Sequence, residues 1–550
     1  MKKIILITAF ILLAAGANNA QDILNAVRKG NVEEVKQHLA SDPNLINTKD
    51  EFRNDLLFLA ILNKDLKMAE LLLKSGIDVT YARKDVGNNA LHTAAGTGPI
   101  DMIKLLLSYS VDMNKVNSFG TTPLITAITR EQKEIAYLLL EKGASFSFDP
   151  RQRESLLRSA LAGGMEKIVD QLANDTTIDY FKKTSSGNTY LHAVAQGGIS
   201  SFAERLIQKG LNINEKNIYG WSPIHFAASR GQTGIIETFV RNGGKKNIRT
   251  NDGKTPYNIA RDFEQQQTAE FLQQRGFDTS APHFPTIRAK YLDPELPDTT
   301  PRLFAPGIVS QTHTFEHCPL TFSSDLQSLC WADWNREGIS KIFLMEKEYG
   351  VWQAPKTVQE QATNPCISPD GQRIFFTAKR KSRDGQQFPD PDIYYIERKG
   401  NGWSEPINVG GNVNTNNEEK TPTVDWDGTL YFTYNADIYR SQYINGKYAP
   451  KEKLLPPVNS GRTENQPFIS QDGTFIIYQS YGSEGVMAGY VNICFRRTDG
   501  TWTDPVKLSE KIKINGLFPA VTPDNKYLFF FQQDYFWVDA KIIEELRSKE

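Results

Sequence analysis

Apolar residues in the first half of the chain fall at helical spacing, in short segments that return at a constant interval. A seven-residue pattern begins at residues 89, 122, 189, 222 and 255, and weaker copies begin at 55 and 155, so the interval is 33 or 34 residues. Each of the clearer copies leads into a second apolar segment, such as 102–107 or 135–140, and several of these end at a glycine. This spacing predicts amphipathic helices, and glycine suits a left-handed helix cap. The pattern therefore predicts a stack of helix pairs.

The repeated pattern has a characteristic sequence. Its copies include Thr122-Pro123-Leu124-Ile125-Thr126-Ala127, Thr189-Tyr190-Leu191-His192-Ala193-Val194 and Ser222-Pro223-Ile224-His225-Phe226-Ala227. These resemble the ankyrin repeat, which has a T-P-L-H-x-A signature and a period of about 33 residues. The resemblance implies an all-α ankyrin-repeat solenoid of about eight units over residues 21–278. It also implies that the signature histidines (His92, His192 and His225) form hydrogen bonds within the fold and do not bind a metal.

Ankyrin solenoids present a concave face and a row of protruding turns, and their binding function lies on those surfaces. The resemblance places the turns just before each signature. Large aromatic side chains at exposed turns are enriched in binding hot spots. For Trp221, packing on the next repeat is an equal alternative. The turn residues predicted to bind a partner are Asp85, Phe119, Ser186, Tyr219, Trp221 and Asp252.

The second half of the chain has a different repeat. Five segments that contain a proline followed by a turn with Asp begin at residues 319, 365, 422, 467 and 519. Four of them lead into an aromatic-rich apolar segment, and three copies close with a Trp-x-x-Pro segment, at Trp352, Trp403 and Trp502. Four short strands per copy are typical of a propeller blade. The S-P-D-G turn, clearest at Ser368–Gly371, and the closing W-x-x-P resemble the WD-like repeats of TolB-type propellers.

This second resemblance implies an all-β propeller over residues 303–550, with five blades or, as the alternative, the six of TolB itself. The fifth copy lacks its last strand. Residues 303–309, which precede the first copy, are predicted to supply that strand and close the ring. Residues 279–302, which are rich in proline, are predicted to be a linker between the two domains.

The N-terminus has the pattern of a secretory signal. Met1-Lys2-Lys3 precedes an apolar run from Ile4 to Ala15, and small and polar residues follow as far as Ala20. The apolar run is shorter than the roughly 20 residues that a membrane-spanning helix needs. We expect residues 1–20 to be removed, with cleavage after Ala17 or Ala20. The expected protein is periplasmic or extracellular in a bacterium and has no transmembrane segment.

Composition supports two domains and narrows the choice of partner. Seven of the eight tryptophans lie beyond residue 300. The 63 basic and 64 acidic residues leave a formal net charge of −1, so no overall field favours nucleic acid as a partner. Buried free thiols are expected, with a Cys318–Cys366 disulfide as the alternative. The cysteines, all in the second half, are Cys318, Cys330, Cys366 and Cys494.

The sequence predicts no catalytic residue, metal or cofactor. The G-x-S-x-G, H-E-x-x-H and C-x-x-C motifs do not occur in it. One constellation remains, because Glu316, Glu419 and Glu464 each stand three residues before the repeat proline. In a closed ring they would surround one rim of the central channel. Such carboxylates could bind a cation or a sugar, or they could form local structural bonds.

These patterns predict an exported, non-catalytic interaction protein. It would bind protein, peptide or glycan partners through the ankyrin concave face and the propeller rim. The alternative is a carbohydrate-active hydrolase that uses propeller carboxylates. That activity requires a polar pocket with two facing carboxyl groups about 5 to 9.5 Å apart.

Overall fold

The computed structural model describes residues 19–548 apart from 51, 84, 176, 312–317, 335–337, 382–386, 401, 482–489, 513–515 and 533. Spatial proximity divides the chain into two compact units. The second unit consists of Ala281 onward together with Ile218–Gly220 and Arg249–Lys254, and the first unit contains the rest. The first unit is helical and the second is built mainly of strands.

The described part of the first unit forms eight consecutive helix pairs. The helices are α1 (19–28), α2 (Val32–Ser41), α3 (Leu56–Leu62), α4 (Leu66–Lys74), α5 (Ala90–Thr97), α6 (Ile100–Leu107), α7 (Pro123–Thr129), α8 (Lys133–Glu141), α9 (Arg153–Ala162), α10 (Glu166–Ala173), α11 (Tyr190–Gly197), α12 (Ser200–Gln208), α13 (Pro223–Ser229), α14 (Thr233–Arg241), α15 (Pro256–Asp262) and α16 (Gln266–Gln274). Short 3₁₀ turns cover Pro43–Asn47 and Pro150–Gln152.

The first helices of neighbouring pairs pack on one another along the stack. Helix α5 lies between α3 and α7, and α11 lies between α9 and α13. Their facing surfaces bury small and branched residues such as Leu91, Ala94 and Ala95. Each pair buries its apolar face only against its neighbours, so the stack has one continuous core. The predicted helical solenoid is therefore confirmed.

The signature histidines hold each repeat to the next. His192 Nδ1 accepts a hydrogen bond from the backbone N–H of Thr189, the N-cap of its own helix (3.0 Å), and its Nε2 lies 3.1 Å from the carbonyl oxygen of Trp221. His92 makes the same pair of contacts with Asn89 and Thr121. Burial lowers the pKa of His192 to about 4, which keeps the ring neutral at pH 7. A neutral imidazole can accept at one nitrogen and donate at the other, as this geometry requires.

The second unit is a five-bladed propeller over the described residues, as predicted; the six-bladed alternative is wrong. The blades, with strands in hydrogen-bonding order, are as follows: first, β2 (Thr321–Phe322), β3 (Ser328–Trp334), β4 (Ser340–Glu348) and β5 (Val351–Trp352), with β6 (Lys356–Glu360) also on β4; second, β7 (Ala362–Ile367), β8 (Arg373–Lys381), β9 (Gln387–Lys399) and β10 (Gly402–Trp403), with β11 (Ile407–Asn408) also on β9; third, β12 (Glu419–Val424), β13 (Leu430–Tyr434), β14 (Asp437–Ser441) and β17 (Glu452–Lys453); fourth, β18 (Thr463–Ile469), β19 (Phe475–Tyr481), β20 (Tyr490–Phe495) and β21 (Val506–Lys507); fifth, β22 (Leu517–Val521), β23 (Tyr527–Phe531), β24 (Tyr535–Asp539) and β1 (Arg302–Leu303). A hairpin of β15 (Tyr443–Ile444) and β16 (Lys447–Tyr448) extends the third blade, and the unit also contains α17 (Leu508–Ile512) and α18 (Lys541–Arg547).

Strand β1 closes the ring in the way the sequence predicts. It pairs antiparallel with β24, with Arg302 opposite Trp537 and Leu303 opposite Phe536. The next residue, Phe304, is fully buried, and its ring contacts those of Phe529 and Trp537 edge-on. The last blade is thus completed by the residues that lead into the first.

The predicted linker is largely part of the propeller. Tyr291 and Leu292 are buried in the core of the second unit. The indole N–H of Trp352 donates to the carbonyl oxygen of Ala289 (2.9 Å), and Asp298 accepts a hydrogen bond from the backbone N–H of Asp539 (2.9 Å). Prolines suit this segment because it follows the sheet surfaces without a regular ladder of its own. An extended, unpacked linker over the whole of 279–302 is therefore not what the structure shows.

A bulge at the start of each inner strand helps to join the blades. The residue before the repeat proline has a positive φ in four blades: Asn364, Thr421, Gln466 and Phe518. The strand register shifts at the same place. The bulge turns the backbone N–H of this residue toward the preceding blade, where Thr377 accepts from Thr421 and Thr433 accepts from Gln466 (both 3.2 Å). Bulges commonly re-aim groups in this way.

All four cysteines are buried free thiols. Burial raises the pKa of Cys366 to about 11 and raises the pKa values of Cys318 and Cys330 as well. Protonated, buried thiols react slowly, so these side chains serve as small core residues. The Cys318–Cys366 disulfide that the sequence left open is not formed.

Candidate functional site

The turns between helix pairs are built by side chains that substitute for backbone hydrogen bonds. Asn117 Oδ1 accepts from the backbone N–H groups of Phe119 and Thr121, both at 3.0 Å. Asp50 performs the same role for Phe52 (3.0 Å) and Asn54 (2.8 Å). Asp and Asn favour such turns because the short side chain reaches the backbone two to four residues further on. The turn is therefore fixed, and the residue at its tip is held outward.

Apolar side chains occupy the tips of three consecutive turns. Phe52, Val86 and Phe119 each stand three residues before the N-cap of a first helix. The side chains of Phe52 and Phe119 are 62 % and 69 % exposed, and Val86 is partly exposed. Only Phe119 is among the predicted residues, because the second repeat departs from the signature that located the others. Counting back from the N-cap Asp55 would have identified Phe52.

Three other predicted turn residues are engaged locally. Asp85 forms an ion pair with Arg83 (2.6 Å), and this hydrogen bond lowers the pKa of the Asp85 carboxyl. Asp252 pairs with Lys254 (3.2 Å), and the Ser186 hydroxyl lies 3.3 Å from that of Thr184. These contacts shape the turns. Their role in partner binding stays a prediction.

The prediction that Tyr219 and Trp221 offer exposed rings is wrong. Trp221 is 6 % exposed because its ring packs against Phe226 and against Phe263 of the next repeat, with ring centroids 5.2 and 5.9 Å apart. This is the packing that the sequence left as the alternative. Tyr219 is 8 % exposed; it belongs to the second compact unit, where its phenol donates a hydrogen bond to Asp534 (2.9 Å).

The propeller glutamates do not form an exposed rim. Glu419 and Glu464 are fully buried, and each binds the residue four positions earlier. Thr415 donates to Glu419 through its hydroxyl (2.6 Å) and its backbone N–H (3.0 Å), and Ser460 donates to Glu464 through the same two groups (2.5 and 3.3 Å). Glu316 lies outside the described residues. The local structural bond that the sequence left open is therefore what Glu419 and Glu464 form.

Glu419 differs from Glu464 in having a buried counter-ion. Lys451 Nζ lies 2.9 Å from Glu419 Oε1 and also donates to the carbonyl oxygen of Val413 (2.8 Å). The ammonium also lies 3.7 Å from the centroid of the Tyr434 ring. A buried carboxylate needs such a partner to offset its lost hydration.

The axis of the propeller leaves almost no space. Prolines 319, 422, 467 and 519 and the side chains of Thr321, Cys366 and Phe468 surround a cavity of about 10 Å³. That volume holds about one water molecule. An axial ligand site is therefore closed to anything larger.

A larger cleft lies beside the first and second blades. Its volume is about 820 Å³, within the range of ligand pockets. Aromatic residues Trp334, Phe376 and Tyr394 line it together with the polar groups of Gln359, Gln361, Asn364, Lys379 and Lys420. Glu360 is the carboxylate among the lining residues that the structure describes, and it is paired with Lys341 at 2.7 Å. The facing pair of carboxylates that the hydrolase alternative requires is not found among those residues.

Comparison with known proteins agrees with the helical half of this architecture. Residues 23–117, 79–149, 156–250 and 191–282 match the family model described as ankyrin repeats (3 copies). The first half of the chain is built of ankyrin repeats. The histidine contacts between repeats and the glycine-ended second helices are the structural counterpart of that match.

Relatives among curated proteins share the ankyrin repeats. The human ankyrin repeat and SOCS box protein 16 is 30 % identical over 32 % of this chain and 40 % of its own length. The mouse B-cell lymphoma 3 protein homolog is 25 % identical over 41 % of this chain and 52 % of its own length. A Dictyostelium discoideum protein named NAD-dependent deacetylase sir2B is 28 % identical over 40 % of this chain and 29 % of its own length. The chain thus spans about half or less of these proteins.

Proposed function

We propose that this protein is an exported, non-catalytic interaction protein whose ankyrin repeats bind a protein or peptide partner. The row of apolar turn tips at Phe52, Val86 and Phe119 carries the proposal. Exposed aromatic side chains lose little conformational entropy on binding and bury a large apolar area, and interface hot spots are enriched in large aromatic residues. The fixed turns reduce the ordering cost further. Ankyrin repeats support protein binding as the general role of this half.

Export rests on the signal-like residues Met1–Ala20. No helix of the described residues is long and apolar enough to cross a membrane. Partner capture is therefore best performed with the periplasmic or secreted fraction of a producing bacterium. The protein recovered from that fraction supplies the material for the comparison that follows.

Phe52→Ser combined with Phe119→Ser is expected to weaken capture of the partner by at least about tenfold, since one hot spot is worth about 2 kcal/mol or more and 1.4 kcal/mol is tenfold. Both rings are exposed, so the fold should be unaffected. Quantitative mass spectrometry of captured proteins, using the purified full chain as bait, measures this effect. Phe181→Ser is the matched control, because Phe181 is 61 % exposed but is not at a tip of the row. Equal capture by the double variant, or equal loss with the control, contradicts the proposal.

A glycan ligand in the propeller cleft is a second candidate function. Aromatic faces beside amide and ammonium groups suit a sugar, because a sugar ring has apolar C–H faces and hydroxyl edges. Trp334 and Tyr394 supply such faces in the cleft, with Gln361 and Asn364 beside them. The TolB-type resemblance of the blades does not bear on this choice, because one fold supports many functions.

An oligosaccharide that binds the cleft is expected to lose affinity about tenfold in Trp334→Leu, because stacking on an aromatic ring is worth about 1 kcal/mol or more. A glycan array with the full chain, followed by calorimetric titration of any ligand found, tests this. Trp403→Leu is the control: both tryptophans pack at the margin of the same core cluster, but Trp403 does not line the cleft. Absence of any glycan ligand, or equal losses in the two variants, leaves the cleft without this function.

A further inference from the structure

The turn between the first and second strands has the same construction in four of the five blades. A serine or threonine hydroxyl donates to the Asp two positions later and holds the turn closed. The pairs are Ser323–Asp325 (2.6 Å), Ser368–Asp370 (2.5 Å), Ser470–Asp472 (2.6 Å) and Thr522–Asp524 (2.7 Å). The residue between them is Ser, Pro, Gln or Pro.

The third blade departs from this construction at two adjacent positions. Asp425 replaces the hydroxyl residue, so that two carboxylates, Asp425 and Asp427, now stand where the others have a hydrogen-bonded pair. Trp426 replaces the middle residue and is 65 % exposed. Burial raises the pKa of Asp425 to about 6, and the neighbouring charge of Asp427 adds to the rise. The substitution therefore costs stability at neutral pH, and such local departures from a repeated rule mark functional positions.

Trp426 borders a formed pocket. Its volume is about 400 Å³, and its lining includes Asp425, Asp427, Asp472 and Arg496. Gln471 fixes the floor: its side-chain amide donates to the carbonyl oxygen of Phe322 (3.1 Å), and its amide oxygen accepts from Ser324 (2.6 Å). The backbone N–H of Trp426 donates to the Gln471 carbonyl oxygen (2.8 Å). The indole is thus held by a bonded framework from the first, third and fourth blades.

We propose that this pocket binds an organic cation, the ammonium or guanidinium side chain of a basic peptide. Its lining carries three carboxylates and one guanidinium, a formal charge of −2 when all are ionised. Tryptophan is the best aromatic partner for a cation. An ammonium or guanidinium group satisfies both features at once, since it contacts the ring face while donating hydrogen bonds to a carboxylate.

Two other ligand classes fit the pocket less well. A metal ion gains nothing from the indole, and no group of three or more His, Cys, Asp or Glu side chains in the described chain could hold one. A neutral sugar could stack on Trp426, but it would not compensate the mutual repulsion of Asp425 and Asp427. Calcium and a neutral oligosaccharide therefore become arms of the test.

The test is fluorescence anisotropy of a labelled tetra-arginine peptide with capped termini, titrated with the full chain. Trp426→Leu should weaken binding about fivefold, because it keeps apolar area but removes the aromatic face, whose contribution to cation binding is about 1 kcal/mol. Trp426→Phe should retain part of the affinity, and Asp427→Asn should weaken binding about threefold. Tyr349→Leu is the control, since Tyr349 is a fully exposed aromatic residue on another turn.

Unchanged affinity in Trp426→Leu overturns the proposal, as does an equal loss in Tyr349→Leu. Competition supplies the remaining arms. Unlabelled tetra-lysine should displace the labelled peptide, whereas tetra-glutamate, maltotetraose and millimolar calcium should not. Displacement by maltotetraose or calcium that depends on Trp426 would assign the pocket to that ligand instead. Near-ultraviolet circular dichroism of each variant shows whether the propeller is intact.

Discussion

Deletion of residues 301–310 is expected to lower the melting temperature of the propeller by more than about 10 °C. The deletion removes β1 from β24 and takes the fully buried Phe304 and Val309 out of the core. Loss of one buried Phe costs about 3 to 5 kcal/mol, and 1 kcal/mol corresponds to about 2 to 4 °C in a domain of this size. An unpaired β24 edge and an open ring add to that loss.

The distribution of tryptophan allows each half to be followed separately. Seven of the eight tryptophans lie in the propeller, so indole fluorescence reports that unit, while the 222 nm ellipticity reports mainly the helices. The fluorescence transition should shift and the helical one should not. A fluorescence transition within a degree or two of that of the intact chain would show that β1 contributes little to closure.

Lys451→Met is expected to destabilise the propeller by about 3 to 5 kcal/mol, because it leaves the fully buried Glu419 carboxylate without its counter-ion. Adding Glu419→Gln should recover part of the loss, since the neutral amide has a much smaller desolvation cost and can still accept from Thr415. Urea unfolding followed by tryptophan fluorescence gives the free energy of unfolding of each variant.

Lys453→Met is the matched control for this substitution. Lys453 pairs with Asp437 at 2.6 Å in the same blade, but that lysine is largely exposed, so its loss should cost no more than about 1 kcal/mol. Equal effects of the two lysine substitutions would mean that the Lys451–Glu419 pair is not buried in solution.

The repeat architecture is determined by the sequence itself. A constant interval, a capped helix start and a glycine at the helix end are local signals, and each repeat contacts mainly its neighbours. Local signals therefore suffice to predict the helix pairs and the role of the signature histidines. The five proline-and-turn copies in the second half work in the same way, and the missing strand of the fifth copy could be assigned by counting strands.

The sites depend on contacts between residues that are far apart in the sequence, and only the tertiary structure decided them. Glu419 and Glu464 occupy the repeat position expected to face the channel, yet Thr415, Ser460 and the distant Lys451 engage them in the interior. Trp221 follows an exposed turn in the sequence but packs against Phe263 of the next repeat. Exposure is set by what packs on a side chain from elsewhere, so a one-dimensional pattern gives a residue's place in its repeat and leaves its accessibility to the fold.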